Sequence, residues 1–470
     1  MPANSKPAAR IRDLFRRPRI GATALLGAAI GIEALEFYVT TSLMPSMVRD
    51  IGGLSLLAWT TSLFVAAIVL GSIGVVVRPK RMNLNQVYIA GALIFAVGCL
   101  IIGLAPNMIV VLVGRFVQGF GAGLLATMGY SFIRFVYPEG MQNAASAFYT
   151  SLWGVSTLLG PSIGGLFSSG SLWRWAFLLL IPLALIMAFA APRLLPPGED
   201  EGEKHALPLT QIALIMAGIL LVSFAGTVDT ATLRTILIAA GAVAFAALVA
   251  CERRLAARLL PRQGTFIRHP IAQAYLAMFL LIVVVNSDIY VPYFLQTLHA
   301  TSPLLAGYIV ALVATGWTAA GLLTASWQGR AARRAILIGP MVIFLSALAL
   351  GLMISRENSE AELGILLTIC VCLFGMGVGI GLGWAHLVSI GLTHAENGEA
   401  DKASASINLI TSLAAAFGSA LAGVIANAAG LVTPGGIAGG MAAAIWLYGL
   451  ISLAGLAAFC VAIPLYRRRD

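Results

Sequence analysis

Five ionisable side chains stand inside long apolar runs of this 470-residue chain: Glu33, Glu36, Arg115, Asp288 and His386. A charge at the centre of a bilayer costs about 2.5–3.5 kcal/mol even on the lenient insertion scale, so such groups have partners or functions. Glu33 and Glu36 are three residues apart and share one face of a helix. Glu36 precedes the outer end of its run, placed at Met44, by eight residues; Arg115 follows the outer end of its own run, placed at Asn107, by eight. At 1.5 Å per residue both sit about 12 Å below the outer surface. Acid and base at equal depth can meet. Arg115 then holds Glu36 ionised while the two are paired, and separation with desolvation favours the protonated carboxyl. That chemistry is a proton switch; the alternative is a static buried pair that pins two helices. Glu33, deeper, is a candidate second proton site or counter-charge for a cationic substrate, or else a permanently protonated carboxyl bonded to backbone.

Other polar groups could line a cavity. Asn286, Tyr290, Tyr293 and Thr297 fall on one helical face, with Asp288 nearly opposite. Both faces reach one cavity only if Pro292 breaks the helix, which proline can do. Asp288 is kept as a proton or cation site, and Gln118, Gln296, Trp384 and His386 join the candidate lining. A lone histidine beside the run Gly375, Gly377, Gly379, Gly381 and Gly383 can equally be a packing residue. The glycines themselves permit close helix approach or local unwinding.

These residues must be carried by membrane helices. Hydrophobic residues make up 59% of the chain and charged ones 10%, with mean hydropathy +0.93. A soluble domain carries about 25% charged residues, so much of this surface must face lipid. Fourteen runs of spanning length lie at roughly 20–44, 56–77, 86–105, 107–134, 142–167, 174–194, 209–227, 233–252, 271–298, 304–327, 336–354, 363–390, 402–429 and 437–466. With both termini inside, 24 of the 29 basic residues fall on cytoplasmic segments, including the run from Arg253 to Arg268. An odd number of spans in either half would scramble that asymmetry.

The first run is expected to be a retained span rather than a cleaved signal, since no small-residue cleavage site follows it. A polar stretch from Pro192 to Pro208 holds an acidic cluster, Glu199 to Glu203, and the stretch from Cys251 to Pro270 is basic. Between them lies a hairpin of two spans. The expected layout is a basic N-terminus (1–19), a six-helix bundle (20–194), a linker with two extra helices (195–270; spans 209–227 and 233–252), a second six-helix bundle (271–466) and a short tail (467–470). Two such bundles about a central pathway are characteristic of secondary transporters.

Several classes are excluded or disfavoured. The net charge of +10 sits between apolar runs, which argues against a nucleic-acid partner. The five cysteines lie in or beside apolar runs without disulfide or zinc spacing. No G-x-x-x-x-G-K-[ST] stretch is present, and five scattered histidines supply no H-E-x-x-H cluster. No cofactor, no metal and no enzymatic activity are expected.

Leu112-Val-Gly-Arg115-Phe-Val-Gln118-Gly119 and Trp153 to Gly160-Pro161-Ser-Ile-Gly164-Gly165 resemble signature motifs of the major facilitator superfamily, the second being its antiporter motif. Leu35-Glu36 through Pro45 with Trp59, Ser171-Leu-Trp173-Arg174-Trp175, and Pro292-Tyr-Phe-Leu-Gln296 resemble its fourteen-span drug–proton antiporter family. The resemblance covers the whole chain. It implies an all-α transmembrane fold with spans one and four as neighbours, and a bend at Gly160, Pro161, Gly164 and Gly165 that seals the outer half of the pathway; packing alone is the other account of those residues. One position departs from the pattern. Where the family carries an Asp four residues after Gly71, this chain has Val75, while the basic cluster Arg78, Lys80 and Arg81 remains. That Asp helps latch the cytoplasmic gate in the family, so gating here is expected to be modified.

The function expected is proton-coupled export of amphipathic or cationic drugs from a monomer in the bacterial cytoplasmic membrane. Its partners are a small-molecule substrate, protons and the bilayer. Export of a lipid or other hydrophobic metabolite, or proton-coupled uptake, are the alternatives within transport; a membrane-embedded receptor or enzyme is the alternative outside it.

Overall fold

The computed structural model describes residues 11–78, 82–197, 208–255, 257–358, 360, 362–396 and 399–467. Arg81, Lys80, the acidic cluster 199–203 and the basic residues through Arg10 lie outside them. Helices occupy all fourteen expected intervals, and no strand occurs among the described residues. They are α1 (Ile20–Ile51), α2 (Leu57–Val77), α3 (Leu84–Gly103), α4 (Met108–Ser131), α5 (Glu139–Leu166), α6 (Gly170–Leu194, whose start includes a 3-10 turn), α7 (Leu209–Ala225), α8 (Ala231–Arg254), α9 (Pro270–Leu298), α10 (Pro303–Thr324), α11 (Gly329–Ile354), α12 (Leu363–Thr393), α13 (Ala400–Ala428) and α14 (Gly436–Arg467). Twelve of these are long and apolar enough to cross a membrane. The other two are α7, with 17 residues, and α5, whose sequence is more polar.

Helix starts are written locally. The Asn83 side chain accepts from the Gln86 N–H while Gln86 reaches back to Asn83, a reciprocal cap for α3. Asn107 caps α4 through the Val110 N–H, and Ser302 followed by Pro303 starts α10. The outer surface is apolar: Leu166, Ile186, Phe189, Leu322, Leu323 and Val371 are all 64–75% exposed, a cost water would impose and lipid does not.

The chain divides into two compact units. One comprises Met1–Thr40 and Ala67–Lys204; within it α3 packs against α4 and α6. The other comprises Thr41–Ala66 and His205–Asp470, so the end of α1 and the start of α2 group with the later helices. Within this second unit α12 lies between α10 and α11, while α9 packs against α13 and α14. Burial ranks its helices: 83% of the α9 span is buried and only 17% of α8.

The glycine run of α12 explains that packing. A Cβ on Gly377 or Gly381 would collide with the Val313 or Trp317 carbonyl of α10. On Gly375, Gly379 or Gly383 it would press on Ser346, Ile343 or Ile336 of α11. Alternate glycines thus admit a different neighbour on each side, and the helix stays continuous rather than unwinding. The hairpin α7–α8 is fixed by its own polar ties: Ser223 meets Ser62 at 3.2 Å, and the Asn427 amide donates to the Ser55 and Gly226 carbonyls at 2.9 and 2.8 Å. At its far end the buried Glu252 carboxylate accepts the backbone N–H groups of Leu259 and Leu260 at 2.9–3.1 Å.

Candidate functional site

Arg115 and Glu36 meet in the first unit. Both side chains are 1% exposed, and the Arg115 guanidinium donates to Glu36 Oε1. Thr40, one turn after Glu36, donates its hydroxyl to the same oxygen. Arg115 also donates to Gln118 Oε1 at 2.8 Å, and the Gln118 amide donates to Cys99 Sγ at 3.2 Å. Glu36 Oε2 is buried without a protein partner among the described residues. One carboxylate oxygen is therefore heavily coordinated, and the other is positioned to take a proton or a further donor. Glu33, one turn earlier and only half-buried, lies in electrostatic reach of Glu36 and Tyr130.

The ends of these two helices differ from those the sequence suggests. α1 continues through Pro45 to Ile51, so about 22 Å of helix lies beyond Glu36, against about 10 Å before Arg115 in α4. A helix end is not a bilayer surface; the fold brings the two side chains together at different distances from their helix ends. Gln118, expected on a cavity wall, is 0% exposed and belongs to the ion-pair network instead. Its side-chain oxygen accepts from Arg115.

Around Asp288 the break expected at Pro292 lies one turn earlier. Residues Asn286–Tyr290 form a 3-10 turn, and the helix resumes at Val291. Proline at 292 has no N–H to give the Asp288 carbonyl and would crowd it. The Val291 N–H takes that carbonyl instead, three residues on, which is the 3-10 bond. Asp288 is half-buried there. The aromatic face is not open in this structure. Tyr290 is 0% exposed and stacks on Phe294 with centroids 6.1 Å apart, and Asn286, 7% exposed, bonds the Ile282 carbonyl of its own helix. Tyr293 and Gln296 are half-buried, and Gln296 accepts from Arg49 at 3.3 Å.

Trp384 packs edge-on against Trp317, centroids 5.1 Å apart. His386 lines a cavity at the end of the second unit where α12 finishes. Gly160 carries α5 against α1, since a Cβ there would meet the Tyr38 side chain and backbone. α5 runs on through Pro161 and the buried Gly164 to Leu166, with Gly165 half-buried. Arg78 is half-buried and donates to the Val75 carbonyl at 3.0 Å, capping the end of α2.

The sequence matches the Major Facilitator Superfamily over residues 26–419. The chain belongs to this superfamily. It is an all-α, multi-pass membrane transporter with the major-facilitator-type fold, not an enzyme. It is 32% identical over 426 residues to the "Probable multidrug-efflux transporter Rv1634" of Mycobacterium tuberculosis, covering 89% of this chain and 90% of that one. It is 24% identical to the "Multidrug efflux pump SdrM" of Staphylococcus aureus over 61% of this chain and 64% of that pump. Among solved structures, a bacterial homologue of the human lysosomal transporter Spinster aligns with TM-score 0.68 at 13% identity, covering 97% and 98% of the two chains. A D-xylose–proton symporter aligns at TM-score 0.63 and 15% identity over 94% and 96%.

Several site residues of this superfamily member were not legible in sequence. Thr40 and Cys99 sit in apolar runs as ordinary helix residues, and only the fold turns them toward Glu36 and Gln118. A buried hydroxyl chain, Thr23 to Tyr137 to Tyr149 at 2.8 Å per link, lies in the same unit. Its one sequence signal is a pair of tyrosines beside an apolar run.

Proposed function

We propose that this transporter exports amphipathic or cationic drugs by proton antiport, with Glu36 as the coupling carboxylate and Arg115 as its switch partner. The carrying observation is the buried pair, whose single bonded carboxylate oxygen leaves the second available to a proton. While paired with Arg115, Glu36 is stable as the anion; when the pair opens in a desolvated site, the neutral carboxyl is the cheaper form. A proton is taken up on one side and released when the pair re-forms, which is what alternating access requires. Glu33, one turn away and more exposed, is proposed as the counter-charge for a cationic cargo. The multidrug-efflux names of the relatives support drugs as that cargo.

The remaining assignments belong to the same proposal. Two six-helix bundles flank α7–α8, both termini are cytoplasmic, and the monomer works in the bacterial cytoplasmic membrane. Asp288, at the 3-10 turn, is a second proton or cation site. Gly160 and Pro161 form part of the outer seal, and Arg78 takes part in the inner gate without the family's Asp.

The test is dye flux in proteoliposomes carrying an imposed pH gradient. Wild-type protein is expected to move dye against its gradient, and Glu36→Gln to lose the response to pH while still binding dye. A Glu36→Gln protein that transports at the wild-type rate and still follows the gradient sinks the assignment. Lipid transfer without dye flux in the wild type would replace drugs by lipid as the cargo.

A further inference from the structure

Outside the ion-pair site, the second unit holds a cavity of about 280 Å³ where α12 finishes and α11 begins. Arg333, in the second turn of α11, lines it together with His386 and Ser389 of α12, His394 just past that helix, and Gln328 at the start of α11. No carboxylate is among its lining residues. His386 Nε2 is buried without a protein partner among the described residues. One ring nitrogen of His394 faces the Thr393 hydroxyl at 3.2 Å, which leaves its other nitrogen for a ligand. The first turn of α11 adds the positive end of a 26-residue helix dipole. Two more arginines, Arg330 and Arg334, are exposed beside it. Trp327, 41% exposed, stands at the rim, the usual place for tryptophan at a membrane–water boundary.

We infer that this cavity, where Arg333, His386 and His394 converge at the start of α11, binds a phosphate group. Its polar lining combines the Arg333 guanidinium with two imidazoles, Gln328 and Ser389 and holds no carboxylate, while Ile336, Ile390 and Leu465 line the rest, which suits an oxyanion with an apolar tail better than a cationic ligand. Two sources share that chemistry: the headgroup phosphate of an anionic phospholipid, and a soluble phosphate. The rim tryptophan and the flanking arginines match the phospholipid, since basic pockets between helices at the cytoplasmic surface take anionic headgroups. The leaflet concerned follows from the orientation proposed above; the binding itself does not depend on the transport reading.

The experiment is native mass spectrometry of the purified full chain, titrated separately with phosphatidylglycerol, phosphatidylcholine and inorganic phosphate. Phosphatidylglycerol is expected to give one saturable bound copy well before phosphatidylcholine does. Arg333→Gln and His386→Gln should each weaken it by roughly ten-fold, and Arg330→Gln, which leaves the lining intact, should barely change it. Competition by millimolar phosphate would support the site and assign it to the soluble ligand. Equal binding of the two lipids with no effect of phosphate overturns the inference. So does a loss in Arg330→Gln as large as in Arg333→Gln, which would mean diffuse surface charge rather than a built site. His386→Gln removes no formal arginine charge, so it keeps the test decisive if Arg333→Gln does not fold.

Discussion

Arg115 donates to both Glu36 and Gln118, and this makes its removal informative. Truncating it leaves a carboxylate buried at 1% exposure, with the Thr40 hydroxyl still donating to it. Breaking one side of a buried pair costs about 3–5 kcal/mol, because the surviving charge stays desolvated. Arg115→Met is therefore expected to lower the unfolding midpoint in detergent sharply, and the double variant Glu36→Gln with Arg115→Met to recover much of that loss. A double variant no more stable than Arg115→Met would show that Arg115 is held by packing and not by the charge of Glu36. The sequence disclosed both charges because a charge in an apolar run is conspicuous. Gln118 was visible too, but its role was not: a glutamine on a helix can face a cavity or an arginine, and the choice is made by which helix passes opposite.

Helices α12 and α9 show where sequence patterns become geometry. Five alternating glycines in α12 were legible as close contact or unwinding; the chain threading between α10 and α11 decides for contact. Gly377→Ala would drive a methyl into the Val313 carbonyl, so a loss of about 1–3 kcal/mol is expected, whereas Gly449→Ala in α14, with nothing within 4 Å, should be neutral or slightly stabilising. Thermal unfolding of the two variants side by side checks this, and equal midpoints would refute the packing account. At the end of α9 the chain turns through Ala300, at φ 48°, beside His299, which is 0% exposed and bonds the Ile354 carbonyl at 3.0 Å. Burial holds the His299 pKa below the usual histidine value, outweighing that carbonyl bond. An unfolded histidine titrates near pH 6.5, so below that the unfolded chain binds the extra proton and the folded one resists it. The contribution of His299 to stability is thus complete above about pH 6.5 and is lost as pH falls through the window beneath. Unfolding midpoints measured from pH 7.5 to 5 should fall less steeply in His299→Gln than in the wild type; parallel slopes would rule the histidine out.

At the scale of the whole molecule the apolar composition left little choice of class, because a chain 10% charged cannot clothe itself for water. The number of crossings is a finer matter. α7, with 17 residues, spans about 26 Å against a hydrocarbon core of about 30 Å, and α5 is long but carries polar residues along its length. The charge asymmetry of the sequence predicts that both cross: removing either would move every later basic cluster to the other side. Asp229, exposed in the α7–α8 turn, and Arg330, exposed at the start of α11, then lie on opposite faces of the membrane. In a background lacking the native cysteines, Asp229→Cys is expected to react with a membrane-impermeant maleimide on intact cells. Arg330→Cys should react only after permeabilisation. If α7 lay flat on the inner surface, Asp229→Cys would stay unlabelled until the cells were opened and Arg330→Cys would react on intact cells. If α5 failed to cross, the α7–α8 turn and α11 would exchange sides and the two labelling patterns would reverse. The pair therefore separates fourteen crossings from thirteen, and Ser169→Cys, exposed in the α5–α6 turn, tells which span is responsible: it stays outside if α7 fails to cross and moves inside if α5 does.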